Sequence, residues 1–159
     1  MSTLSEEDVE SMLVQKRLFD ERKNPDVGGF KNRLERNPGN KVIVDHASNL
    51  MWQQSGSQKY LAYHEIQGYL NQLNKANFAA HNDWRLPTLE EAMTLMETHP
   101  NQDSLYIDPR FDRQQHWIWT ADRKNEYEAW AVYFSYGYCH YDRIQYAGSF
   151  VRATRSISR

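Results

Sequence analysis

Asp83-Trp84-Arg85-Leu86-Pro87-Thr88 is the stretch that most restricts what this chain can build. Proline clashes with a helical predecessor, so Leu86 is held extended, and Thr88 followed three residues later by Glu91 spells a capping box. An extended approach, a turn and a helix start are thereby written into adjacent residues, with Trp84 expected to be buried at the corner. The stretch reads as architecture and not as a catalytic site.

Hydrophobic spacing extends the pattern on both sides. Downstream, Leu89, Ala92, Met93 and Met96 continue at helical spacing until His99-Pro100. Upstream, Ile66, Tyr69, Leu70 and Leu73 mark one stripe of a helix over about 63–79, weakened by Gly68. Segments 41–45 and 50–53 read as two short strands around a turn, with Trp52 toward the core. At the start, Ser5 and Asp8 form a second capping box, which predicts a short, peripheral helix over about 5–20. The stretch 24–40, with Pro25, Gly28, Gly29, Pro38 and Gly39, reads as an irregular connector anchored by Phe30. Segment 101–115 is expected to be a long loop with Phe111 turned inward. From Trp117 the period changes to two. Strands are predicted over 117–120 and 129–134, the second with Trp130, Val132 and Phe134 on one face. Segment 138–146 pairs back across a turn at Gly137, and 150–154 closes the domain.

The length of 159 residues suits one domain, divided as an extension over 1–40 and a domain over 41–159. A net charge of -2 gives no footprint for nucleic acid or an anionic membrane. No apolar run approaches the ~20 residues of a membrane span, and the acidic N-terminus lacks a secretion signal, so no membrane insertion and a cytoplasmic location are expected unless another route delivers the chain. Arg143, Arg152, Arg155 and Arg159 follow the last acidic residue, Asp142. They read as solvated tail charges, with a weakly basic edge as the alternative.

Chemistry-bearing motifs are scarce. Cys139 is the single cysteine, which excludes an internal disulfide and a multi-cysteine cage. His46, His64, His81, His99, His116 and His140 show no metal-ligand spacing, so neither metal nor cofactor is expected. His140 adjoins Cys139, but neighbours in a strand point to opposite faces. Glu6-Glu7 and Glu90-Glu91 sit in first turns, where the helix dipole explains them. No catalytic residue is assigned. Tyrosine is different: Tyr133, Tyr136, Tyr138, Tyr141 and Tyr146, half of the ten, fall within fourteen positions. Tyrosine suits strands in any case, yet a two-residue period buries only every other one. The candidate ligand-binding residues are therefore Tyr136, Tyr138, His140, Tyr141, Arg143, Gln145 and Tyr146, a mixture of rigid aromatics and hydrogen-bonding groups typical of recognition surfaces.

Four runs together resemble the bacterial Lcl C-terminal domain family, long filed as a domain of unknown function. They are Asp45-His46-Ala47-Ser48-Asn49-Leu50-Met51-Trp52-Gln53, the corner with Glu90-Glu91, Trp117-Ile118-Trp119-Thr120 and Val151-Arg152-Ala153-Thr154-Arg155, and the resemblance covers about 42–156. Asn49 stands where the family's usual motif has Gly, and Thr154 replaces an apolar residue, expected on an exposed face. The resemblance implies an α+β chain of C-type lectin-like fold, two helices packed on a twisted antiparallel sheet, here with an N-terminal helical extension. It also implies a non-enzymatic module for a protein or glycan ligand, with relatives that bind sulfated glycans or act as adhesins. Some retroelement-diversified proteins of this fold vary surface residues in the segment corresponding to 136–146, which leaves the corner as scaffold. Two alternatives stay open: an accessory or sensor domain that docks through its N-terminal helix and regulates a separate enzyme, and a relative of the formylglycine-generating enzymes. The latter use a cysteine pair, which Cys139 alone does not provide. No Glu-Pro-Asn or Gln-Pro-Asp run is present, so calcium-dependent sugar recognition is not expected.

Overall fold

The computed structural model describes residues 3–39 and 41–157. The first helix, α1 (Glu6–Lys16), begins where Ser5 and Asp8 exchange side-chain and backbone hydrogen bonds of 2.9 and 3.0 Å. It ends earlier than 20 because Arg17 turns left-handed, at φ 57°, and returns its N–H to the last carbonyls. The helix is not peripheral: Val9 and Leu13 are fully buried in the main core with Leu18 and Phe19. Beyond it, the buried Asp20 carboxylate accepts the backbone N–H groups of Arg22, Lys23 and Cys139, which pins this segment to the distant strand carrying Cys139.

The connector is partly regular, since Leu34–Asn37 (β1) pairs with Val42–Asp45 (β2) as an edge strand. Its expected last residue, Asn40, lies outside the described residues. The predicted hairpin is present: β2 pairs antiparallel with Leu50–Gln53 (β3), and Asn49 takes the left-handed φ of 60° that its short polar side chain tolerates. Asp45 organises this turn while fully buried. Burial alone would raise its pKa, but hydrogen bonds from Asn32, the Arg33 and Ala47 N–H groups and Ser48 outweigh that and hold it below its ordinary value. A depressed carboxylate stabilises the fold above its unfolded pKa and loses that contribution as the pH falls through the folded one. Asp45→Asn should therefore cost about 2 kcal/mol in urea melts at neutral pH, and the gap to wild type should close below about pH 4. A gap independent of pH would show that the charge is immaterial.

After the short strand Leu61–Ala62 (β4), a 3-10 turn leads into α2 (Ile66–Lys75). This helix stops short of 79 because Asn77 and Ala79 are left-handed. At the corner Trp84 is 3% exposed, as the sequence predicts. Arg85 spans two roles, donating to the Leu86 carbonyl and, in a bidentate pair of 2.7 and 2.8 Å, to Glu91. The capping box of Thr88 and Glu91 opens α3 (Leu89–Met93), which is only five residues long. The Thr94 hydroxyl turns back on the Glu91 carbonyl at 2.6 Å where it ends, while Leu95 and Met96 stay buried.

The second sheet is antiparallel: β5 (Trp117–Arg123), β6 (Glu128–Tyr133) and β7 (Tyr138–Arg143), with β6 central. Ala129, Trp130, Ala131 and Val132 are all fully buried, so β6 is covered on both faces. Ile118, Trp130, Val132, Phe134 and Cys139 share a core with α1 and α3. Trp119, Ala129 and Ala131 share another with α2, Trp84 and Val151. Gly148–Ser149 (β8) pairs with β4, and the last strand, β9 (Thr154–Ser156), joins β3. It lies later than 150–154 because Phe150 instead bridges to Ile118. The architecture is α+β, with three α-helices and antiparallel sheets of four, three and two strands among the described residues.

Two expectations about the C-terminal segment need correcting. Thr154 is buried, not exposed, and its hydroxyl donates to the Met51 carbonyl at 2.8 Å. Arg152 and Arg155 are not solvated tail charges. Arg152 is fully buried, and Arg155 is 9% exposed and bonded to Asp83 at 2.6 Å, which leaves Arg143 in solvent. Arg159 lies outside the described residues.

Candidate functional site

Register places Trp117, Tyr133 and Tyr138 opposite one another across β5, β6 and β7, and residues directly opposed in an antiparallel sheet project from the same face. Tyr60, from the loop before β4, extends the row by stacking on Trp117 at 5.0 Å with 17° between ring planes. Trp117 lies 6.4 Å from Tyr133, which meets Tyr136 and Tyr138 at 5.9 and 6.1 Å. Tyr136 and Tyr138 stack on each other at 5.6 Å. The turn that presents Tyr136 depends on glycine, because Gly137 has φ 81° and an added Cβ would lie 3.0 Å from the Tyr106 ring. Tyr60 and Tyr136 are more than half exposed, at 52% and 59%.

Polar groups border the rings. The Tyr133 hydroxyl donates to the Asp142 carboxylate. Burial and then this bond hold the phenol protonated, its pKa well above the usual value. His116 meets Trp117 edge-on at 4.2 Å, with its Nδ1 2.8 Å from the Gln114 carbonyl. The Arg22 guanidinium covers the Tyr138 ring at 4.5 Å.

The structure divides the seven residues singled out by sequence. Tyr136 and Tyr138 join the row, and His140 is exposed on the same face, opposite Ala131. Tyr141 points to the other face, where it packs edge-on against Trp130, donates its hydroxyl to Glu6 at 3.0 Å and carries the Lys124 ammonium over its ring. That tyrosine holds α1 to the sheet. Arg143, Gln145 and Tyr146 are exposed at the end of β7 and the turn beyond, with the Arg143 guanidinium 5.8 Å from the Tyr146 ring. The seven did not include Tyr60, Trp117, Tyr133 or Asp142, although Tyr133 and Asp142 lie within the tyrosine-rich stretch. The alternation in β6 already sets Tyr133 out of phase with Trp130 and Val132, so it carried a signal. Tyr60, in a loop, had none.

Elsewhere, an open basin of about 770 Å³ is bordered by Arg36, Lys41, Arg110 and Arg113, and an apolar cleft of about 460 Å³ by Tyr63, Ile66, Leu70 and Leu86. Cys139 is fully buried, and burial first, then the Asp20 carboxylate 3.4 Å from its sulfur, pushes the thiol well above its ordinary pKa, the opposite of an activated nucleophile. Among the described residues no three His, Cys, Asp or Glu side chains gather as metal ligands would. No described helix is long and apolar enough to cross a membrane. The model of the Lcl C-terminal domain matches residues 41–155. No curated protein matches the chain.

Proposed function

The chain belongs to the Lcl C-terminal domain family, and from that premise we propose that it is a non-enzymatic binding module of C-type lectin-like fold whose open aromatic sheet face engages a protein or glycan ligand. The observation that carries this reading is the row from Tyr60 through Trp117 and Tyr133 to Tyr138 and Tyr136, partly exposed on a rigid sheet. Rings held by stacking lose little conformational freedom on binding and offer large contact areas, the property that makes Tyr and Trp recurrent anchors of recognition surfaces. Exposed aromatic area grouped in one patch is unusual for a surface with no partner.

The display segment implied by the resemblance fits six of the seven residues. Tyr136, Tyr138, His140, Arg143, Gln145 and Tyr146 project from an edge strand and its turns, where side chains can vary with little effect on the core, while Tyr141 is committed to α1. The family match begins at residue 41, and the segment before it is bonded into the same core through Val9, Leu13 and Asp20.

The double variant Tyr136→Ala/Tyr138→Ala tests the assignment. Screened beside wild type on glycan and protein arrays, it should lose the strongest wild-type signals by at least about tenfold, while its stability falls by no more than about 1 kcal/mol. Signals that survive the double substitution would place recognition elsewhere on the molecule.

A further inference from the structure

We propose that the aromatic row takes an extended, uncharged β-linked glycan chain, laid across the three strands from Tyr60 toward Tyr138; this rests on the reading of that face as the ligand-binding surface. Three observations favour a glycan over a strand-adding peptide or a polyanion.

The first is the state of the backbone on either side of the row. An extended peptide gains sequence-independent affinity by adding a strand to a free sheet edge. Both edges are closed at this level. On the β7 side, the Gly137 carbonyl accepts the Glu21 N–H at 2.8 Å, the Cys139 N–H donates to Asp20 at 3.0 Å, and Lys23 donates to the Cys139 carbonyl. On the β5 side, the Trp119 N–H donates to the Phe150 carbonyl at 3.0 Å and the Phe150 N–H to the Trp117 carbonyl at 3.3 Å. A ligand here must bind through ring faces, ring edges and side-chain polar groups.

Those groups are the second observation. A pyranose presents a flat face of C–H groups, which packs on aromatic rings, and a rim of hydroxyls, which need donors and acceptors. Near-parallel, offset rings recur along the row, and Asp142, His116 and His140 lie beside them. The hydroxyls of Tyr60, Tyr136 and Tyr138 make no hydrogen bond to the described residues, which leaves them for a ligand. Centroids from Tyr60 through Trp117 and Tyr133 to Tyr138 lie 5.0, 6.4 and 6.1 Å apart, comparable to the advance of one sugar unit in an extended β-linked chain, and because Arg22 and Tyr136 flank the Tyr138 ring, contact there is with its edge and hydroxyl.

Charge is the third. Lys23 is paired with Asp20 at 3.6 Å, and the border carries both signs: the Arg22 guanidinium at the Tyr138 end, the exposed Lys59 beside Tyr60, and the Asp142 carboxylate that accepts from Tyr133. A polyanion would match a file of cations along its length. A group of cations among the described residues, Arg36 and Lys41 with Arg110 and Arg113, the last two paired with Asp108 and Asp103, borders a basin that shares no residue with the row. The row complements an uncharged chain.

Native electrophoresis of the full chain through gels containing soluble xyloglucan, galactomannan, mixed-linkage β-glucan or xylan tests the proposal. At least one of these polysaccharides should retard migration, and added salt should change the retardation little. Trp117 is a built-in reporter, because Trp52, Trp84, Trp119 and Trp130 are all buried. Oligosaccharides of the retarding polymer should therefore shield tryptophan emission from acrylamide, more strongly as they lengthen. Tyr136→Ala should weaken retardation by about tenfold without moving the melting temperature, and Tyr127→Ala, in the distant β5–β6 loop, should leave it unchanged. No retardation by any of the four, retardation only by a sulfated polymer such as heparin, or retardation untouched by Tyr136→Ala would each overturn the glycan proposal. If displayed peptides are captured instead and lost in Tyr136→Ala, the face remains the binding surface and only its ligand class is wrong. If neither glycans nor peptides depend on Tyr136, both readings fall.

Discussion

Arg152→Ala should destabilise the protein by about 4 kcal/mol, because the guanidinium donates to four carbonyls, of which that of Gln54 keeps the Asp112 N–H at 2.9 Å, and each carbonyl left without a partner costs about 1–3 kcal/mol. Arg152 is fully buried and donates to the carbonyls of Gln53, Gln54 and Ser55 through Nη1 and to that of Asp112 through Nη2, at 3.0 Å for Gln53 and Asp112. Its guanidinium also sits 4.9 Å over the Phe111 ring. One side chain thus ties the end of β3 to the long loop before β5. Burial pushes its pKa down to about 9, which still leaves it charged at neutral pH. The sign is that of a base depressed by folding: the unfolded chain binds the proton more tightly, so the charge opposes folding at neutral pH, and this opposition is relieved as the pH rises above about 9. The carbonyls and the aromatic face offset it. Urea melts of Arg152→Ala and Arg152→Lys at neutral pH separate the contributions. Lysine restores the charge without the planar fork and should recover less than half of the loss. Near-complete recovery by lysine would mean that charge matters there and the fork does not.

Arg152 also shows why part of this fold could not be read from sequence. In a pattern of apolar and polar residues an arginine near a terminus is assigned to solvent, since arginines are almost never fully buried unless paired. What buries this one is a loop brought alongside from forty positions earlier, and no local spacing encodes that. Asp20 is similar: its carboxylate is enclosed because Cys139 donates to it across the chain. Features fixed by local chemistry were legible. The Thr88 and Glu91 capping box, the Asn49 turn and the alternation of β6 each specify a conformation within a few residues. Helix lengths were less so, because α2 and α3 end where Asn77 and Thr94 make local turns that an apolar stripe does not announce.

The candidate site follows the same division. Alternation indicates that some tyrosines between 133 and 146 remain exposed, and Tyr136 and Tyr146 do, with Tyr138 half-buried. It does not say which face of the sheet is open. Tyr138 and Tyr141 differ by an odd number of positions and so face opposite ways, and α1 covers the Tyr141 side. The remaining rings come from segments distant in sequence: Tyr60 precedes β4 and Trp117 begins β5. A surface assembled from three strands and a loop has no signature in any one of them.

Trp84→Ala should cost about 3–5 kcal/mol, the usual effect of emptying a large aromatic site. Trp84 is 3% exposed and shares a core with Ile66, Leu70, Trp119 and Val151, with the Phe78 ring edge-on at 5.5 Å. Its indole N–H donates to the Phe78 carbonyl at 3.0 Å, and its backbone exchanges hydrogen bonds of 2.8 and 3.0 Å with the Asn74 side chain. Truncation therefore opens a cavity and strands the acceptor that ties the left-handed turn after α2 to the corner. Trp84→Phe keeps most of the packing and loses the N–H, so it should cost about 1–2 kcal/mol, and the difference between the two variants isolates the packing contribution. The damage should remain in stability. The corner is joined to β9 by paired Arg85 and Thr154 backbone bonds of 2.9 Å, whereas the aromatic row stands on the sheet of β5, β6 and β7. Well below its lowered melting temperature, Trp84→Ala should bind whatever the wild type binds with unchanged affinity. A loss of stability below about 1 kcal/mol would show the corner to be exposed, and a loss of affinity in the folded variant would make it part of the binding surface.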